Sequence, residues 1–384
     1  MDQKEEQLKA LVEKYRQDML DFWRELIDFQ AGSKEKDRMQ TLMEKVAARL
    51  EKEGMETELL DTGAVSLLQA WVGKDRPGKP ILLSGHLDTV FPNGSYPEEA
   101  FTLKDGKAYG PGVCDMKGGI VMAVYVAKIL TEAGYDRHPL KLVFVPDEEI
   151  THQGSRVADM LVEQSRGCLC AFNFETGRMD NCLTVGRKGC MDVWITVHGK
   201  AGHVGNAYAT SANAIEEMAH KIIALRALTD LEKGRIVSTD IISGGTVSNA
   251  VADTCRIEVD CRYDYNEDKD KLQDAIRALC AEAQVPGTTT DVEFPAFMPV
   301  FERTEGNDKL LGLVNQVAAD FGIPAFGAAH PGGCSDASFM AQAGIPILDS
   351  VGVQGDGAHT LHEYANVETM YERTLLLAAA ICRL

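Results

Sequence analysis

Apolar residues recur at spacings of three and four through the first thirty positions, where Leu8, Leu11, Val12, Tyr15, Met19, Phe22, Trp23, Leu26 and Ile27 define one helix face. Gly32-Ser33 ends that helix, and a second is expected over 37–52 with Gly54 closing it. Short unbroken apolar runs then predict strands at 67–72, 80–84, 141–145 and 169–173, separated by helical stretches at 118–133 and 154–163. Such alternation predicts an α/β fold: a mostly parallel sheet with helices on both faces.

The pattern changes after Gly186. Residues 191–198 alternate apolar and polar, 213–228 read as a helix, 236–243 and 254–263 as strands, 269–283 as a helix and 292–294 as a last strand. The order strand, helix, strand, strand, helix, strand is the ferredoxin-like α+β arrangement. Residues 187–299 are therefore expected to form an inserted domain, while 1–186 and 300–384 form the main one. A helix over 307–321, a strand at 346–349 and a helix over 367–384 return to the first sheet.

Length and composition narrow the function. A chain of 384 residues exceeds one comfortable core, and 45% hydrophobic with 25% charged residues is ordinary for a globular protein. The net charge of −19 argues against a nucleic acid partner, whose phosphates demand a basic face, but is compatible with attracting cations. No apolar stretch is long enough for a membrane span, and the first twenty residues are too charged for a secretory segment, so cytoplasmic residence with no membrane partner is expected. Ten scattered cysteines then read as reduced thiols, and Cys168-Leu169-Cys170 lacks the spacing of a zinc hook.

Chemistry gathers at the ends of the apolar runs. After Ile81-Leu82-Leu83 come His86 and Asp88, where Asp88 can accept the second ring N–H of His86 and leave its other nitrogen for a metal. The glycine-flanked turn Tyr109–Gly119 sets Asp115 just ahead of a helix, which suits a cation and repels a phosphate. The run Leu142–Val145 ends in Asp147, Glu148 and Glu149, and on an extended segment Glu148 and Glu149 point apart and can take different tasks. Glu175 closes a further run, and Gly357–Tyr364 offers two imidazoles, His359 and His362. In an α/β sheet these ends converge on one crevice. Imidazoles and carboxylates without a thiolate suit a pair of zinc-like ions, or manganese or cobalt, able to activate water and polarise a carbonyl.

Through SGHLDTVFP, AYGPGVCDMKGG, PDEE, FNFE, GKAGHVG, VSNAVAD and GGCSDA, nearly the whole chain resembles the M20 family of metallopeptidases, closest to its carboxypeptidase G2 branch. The resemblance implies a zinc-peptidase-like main domain and an inserted lid or dimerisation domain. It implies that His86, Asp115 and Glu175 hold one zinc, that Asp115, Glu149 and His359 hold the other, that Glu148 is the general base and that Asp88 orients His86. His362 is the alternative to His359. His203 would stabilise the oxyanion, often across a dimer interface, and Asn249 and Arg262 would contact substrate. Where glutamate-releasing members carry an arginine that grips the product carboxylate, this chain has Met298, which weakens the case for a C-terminal glutamate.

The expected function is a metal-dependent hydrolase of amide bonds, an exopeptidase on short peptides, and a homodimer. N-acyl amino acid deacylation is the alternative. From another class, a metal-binding protein without catalysis would have no need of Glu148. A glycosidase using Glu148 and Glu149 fits poorly, because paired catalytic acids need a gap of about 5 Å or more.

Overall fold

The computed structural model describes residues 3–384. Contacts divide them into one unit of residues to 186, 303–331 and 335–384, and a second of 187–302 with 332–334.

In the first unit the strands run in the spatial order Glu56–Leu60, Leu67–Val72, Leu140–Val145, Ile81–His86, Cys170–Asn173 and Ile347–Leu348. The pairs made by Leu140–Val145, Ile81–His86, Cys170–Asn173 and Ile347–Leu348 are parallel, and the two at the Glu56 edge are antiparallel. Leu140–Val145 and Ile81–His86 are buried at every position, as strands covered on both faces must be. The helix Gly118–Glu132 is likewise almost wholly buried, whereas the helices Gln3–Asp28 and Lys36–Lys52 bury one stripe each. Gly119 is required there: a Cβ would lie 2.0 Å from the carbonyl oxygen of Phe174, so only glycine lets the helix approach the strand end that carries Glu175.

Several short elements escape the periodicity. Glu56–Leu60 is one, and a four-stranded sheet of Gly355–Asp356, Tyr364–Asn366, Lys107–Tyr109 and Thr102–Lys104 is another. Strands of two or three residues are too short to show an alternation. That small sheet nevertheless brings the loop of His359 and Glu363 against the loop of Asp115. The helix expected over 154–163 begins only at Val157, because His152 and Gly154 both take left-handed conformations and end the preceding turn there.

In the second unit Gly189–His198, Ile236–Gly244, Thr254–Tyr263 and Thr289–Glu293 form an antiparallel sheet in which the first and third lie central. With the helices Ala214–Arg226 and Asn266–Ala281 this is the ferredoxin-like order. Gly189–His198 buries alternate residues, so one face is covered, and Met191, Val193, Ile195 and Val197 pack with Met218, Leu225, Leu272 and Ile276. Ile236–Gly244 is an edge strand. Among the described residues no helix is long and apolar enough to cross a membrane.

Candidate metal centre

His86 is the last residue of its strand and is 1% exposed. Its Nε2 lies 3.2 Å from Asp115 Oδ1 and 3.6 Å from Glu175 Oε1, and its Nδ1 faces Asp88, 3.1 Å from the carbonyl oxygen and 3.3 Å from Oδ1. Asp88 is buried and accepts hydrogen bonds from Ser33 Oγ and from the backbone N–H groups of Glu148 and Glu149. It thus ties the strand end of His86 to the acidic turn.

That turn differs from the expected extended segment. Glu148–Ile150 forms a single 3-10 turn, because Asp88 gathers two successive N–H groups and Glu148 O accepts from Thr151 N. Glu148 and Glu149 are separated by the curl of the turn, not by strand alternation. His359 reaches the same place from the late loop, with Nε2 2.9 Å from Glu149 Oε2 and 3.3 Å from Asp115 Oδ2. His359 holds φ +64°, the left-handed region that a non-glycine residue adopts at a cost and that clusters at functional sites. His362 is exposed, and its backbone N–H donates to Thr360 Oγ1.

The loop of Asp115 is held from three sides. Glu363 accepts the N–H groups of Gly112, Cys114 and Asp115, Trp23 Nε1 donates to Val113 O, and buried Lys117 Nζ donates to Leu26 O and Phe29 O. Burial pulls the Lys117 ammonium down to about 8, and burial with the nearby Asp115 charge pushes the Glu363 carboxyl up to about 7. Burial also opposes charge on His86 and Asp115, but hydrogen bonds outweigh it: those to Asp115 and Asp88 raise His86 well above an ordinary histidine, and those with His359 and His86 hold Asp115 low. Hydrogen bonds donated to Asp115 and Glu149 raise His359 to about 10. Glu148 behaves in the opposite way. Burial, then the charges of Glu175, Asp336 and Glu149, push its carboxyl well up, with only His86 opposing.

The donor set suits a cation. His86, Asp115 and Glu149 each offer one ligand atom, all within 4.8 Å of one another. Tetrahedral zinc with bonds of about 2.0–2.1 Å sets neighbouring donors roughly 3.3 Å apart. The four separations from the two Nε2 atoms to Asp115, Glu175 and Glu149 run from 2.9 to 3.6 Å. In the same pockets a proton on each imidazole can be exchanged for metal.

The other expected residues belong to the second unit. His203 is exposed on the short strand Gly202–His203, which pairs with Ala250–Val251, and Val204 N donates to Asn249 O, so His203 and Asn249 are neighbours. His203 Nδ1 accepts the N–H of Gly205, which assigns the ring proton to Nε2. Arg262 is engaged already: Nε and Nη2 form a two-pronged pair with Asp260 at 2.7 Å each, and Nη1 faces Cys334 Sγ at 3.3 Å. Met298 is buried, and its strand pairs with Cys190. Ser33 and the three-pronged role of Glu363 carry no sequence signature, since Ser33 acts on a remote carboxylate and Glu363 on backbone groups of a distant loop.

Fold and donor set together are those of a metal-dependent hydrolase. The model of Peptidase family M20/M25/M40 matches residues 82–383, and the chain belongs to that family. Carboxypeptidase G2 from Pseudomonas sp. is 30% identical over 315 residues, which cover 80% of this chain and 74% of that protein. Succinyl-diaminopimelate desuccinylase from Xylella fastidiosa is 29% identical over 345 residues, covering 83% and 86%. Aminopeptidase PepT from Bacillus cereus shares the fold with a TM-score of 0.79 at 21% identity, covering 96% of this chain and 98% of its own.

Proposed function

We propose that this chain hydrolyses amide bonds in short peptides as an exopeptidase with two divalent ions, zinc or in its place manganese or cobalt. One observation carries the count of two: the two carboxylate oxygens of Asp115 face different imidazoles, Oδ1 towards His86 and Oδ2 towards His359. Asp115 would bridge, with His86 and Glu175 completing one site and His359 and Glu149 the other. When bound, the ions polarise the scissile carbonyl and lower the pKa of water.

The protein's own groups do the rest. Glu148, whose proton affinity is raised by its surroundings, takes a proton from the attacking water and returns it to the leaving amine. The net change is addition of one water across the C–N bond, giving a carboxylate and an amine. Asp88 holds His86 through Nδ1 so that Nε2 faces the metal position. His203 donates from Nε2 to the carbonyl oxygen as charge develops, and Asn249 and Arg262 contact substrate. The Asp260 pair makes Arg262 a weaker carboxylate clamp, in keeping with Met298 in place of an arginine.

Peptides are preferred over acetylated amino acids because a cavity of about 400 Å³, lined by Lys34, Val90, Pro92 and Ile150, opens beside Glu149. An acetyl group would leave most of it empty. N-acyl amino acids with larger acyl groups are the second reading. A homodimer through the second unit is proposed from its edge strand, where Ile241 and Ile242 are 56% and 57% exposed. Equilibrium sedimentation should return a dimer for the wild type and a monomer for Ile242→Asp. A wild-type monomer refutes it.

Glu148→Gln tests the mechanism. Turnover of the best substrate from a panel of dipeptides and N-acyl amino acids should fall by about 10³-fold or more while metal content is unchanged. Undiminished turnover removes the base assignment.

A further inference from the structure

A second buried imidazole closes the turn that carries Glu148 and Glu149. His152 is 4% exposed, and its Nδ1 lies 2.8 Å from Asp147 Oδ1 while its Nε2 lies 2.7 Å from Asp336 Oδ1. Both carboxylates are buried as well, Asp147 at 5% and Asp336 at 2% exposure. The ring packs against Phe339, and the backbone N–H of His152 returns to Asp147 O. Thr151 and His152 both hold left-handed φ, +54° and +55°, so the turn is kept in a conformation that needs outside support.

A neutral imidazole has one N–H and one lone pair, and here a lone pair would face a carboxylate oxygen on one side or the other. The geometry calls for a proton on both nitrogens. Burial opposes that charge, yet the Asp336 and Asp147 carboxylates outweigh it and raise His152 to about 10. The two donors leave opposite edges of the ring. Unlike the carboxylates that converge on His86 Nε2, these cannot gather around one ion. Asp336 in turn lies close enough to Glu148 for its charge to raise the Glu148 carboxyl.

We propose that His152 is a positioning residue: as a cation clamped between Asp147 and Asp336, it fixes the Glu148–Thr151 turn and so aims both the proton-transferring Glu148 and the ligand Glu149. This rests on the roles given to Glu148 and Glu149 above. Stability alone does not explain the arrangement, because a buried charged triad seldom stabilises more than apolar residues of similar volume. Orientation of reacting and ligating groups is what such outlying hydrogen bonds supply.

The test uses the full chain, loaded with Zn²⁺, as wild type, His152→Ala, His152→Gln and Asp336→Asn. For His152→Ala, kcat should fall ~10–100-fold with KM within about threefold, and competition with a chromogenic chelator should show ~10-fold weaker Zn²⁺ retention. His152→Gln, whose amide nitrogen carries two protons, should recover part of both losses, and Asp336→Asn should move both in the same direction as His152→Ala. Should His152→Ala fail to fold, His152→Gln and Asp336→Asn decide by the same two readouts. A lower melting temperature with kcat and Zn²⁺ retention within twofold of wild type overturns the proposal. Glu148→Gln serves as control: if it stays active, the base assignment fails, while Zn²⁺ retention in the His152 variants still tests the clamp on Glu149.

Discussion

The two units hold the polar groups proposed for function in opposite ways. In the first, His86, Asp88 and Glu363 are buried and each has a partner supplied by another loop, Asp115 for His86, Ser33 for Asp88 and the Asp115 loop for Glu363. In the second, His203 and Asn249 are exposed, and their hydrogen-bond partners, the N–H groups of Gly205 and Val204, follow directly on His203 in the chain. Metal ligands must be held at fixed separations before the ion arrives, and burial with charge pairing achieves this at a cost in desolvation. A group that acts on the transition state needs a free donor, which an exposed imidazole keeps. The difference predicts that variants at His86, Asp88 and Glu363 damage folding and function together, and that variants at His203 and Asn249 damage function alone.

The largest effect should come from Glu363→Ala. Three N–H groups, two of them buried, lose their acceptor at about 1–3 kcal/mol for each buried one, so thermal unfolding should move down by many degrees and metal retention should fall with it. A variant with wild-type melting and metal affinity would break the contrast from the side of the first unit. His203→Ala comes next: turnover should drop about 10²–10³-fold, while stability stays within ~0.5 kcal/mol of wild type. Loss of stability on the scale of Glu363→Ala would break it from the side of the second.

The smallest effect is a pH dependence. His152 has a folded-state value raised to about 10 from an unfolded value near 6.5, so its stabilisation is complete below about pH 6.5 and fades as pH rises towards 10. The melting-temperature gap between wild type and His152→Gln should therefore narrow by ~2–4 °C or more over that range in thermal scans. A gap that widens would show that the ring is not held charged.

Much of the first unit was legible in the sequence because its strands are unbroken apolar runs that end in glycine and a charged residue, as in Leu82-Leu83-Ser84-Gly85-His86. The ferredoxin-like order of the second unit was legible for a related reason: apolar and polar residues alternate through most of 191–198 and through Thr254–Tyr263. What escaped were groups whose partners are remote. Asp147 stood in the acidic run and Asp336 in GGCSDA, but nothing local announces that His152 spans the two.

The sequence by itself determined which residue types stand at the ends of which elements, since hydrophobic periodicity and glycine placement are local properties of the chain. Tertiary structure alone decided that the acidic run curls into a turn over Asp88, and that Glu363 gathers three amides of the Asp115 loop. Those outcomes depend on strand order and on loops meeting across the sheet, and hydrogen-bond partners chosen at that range leave no period in the chain to read.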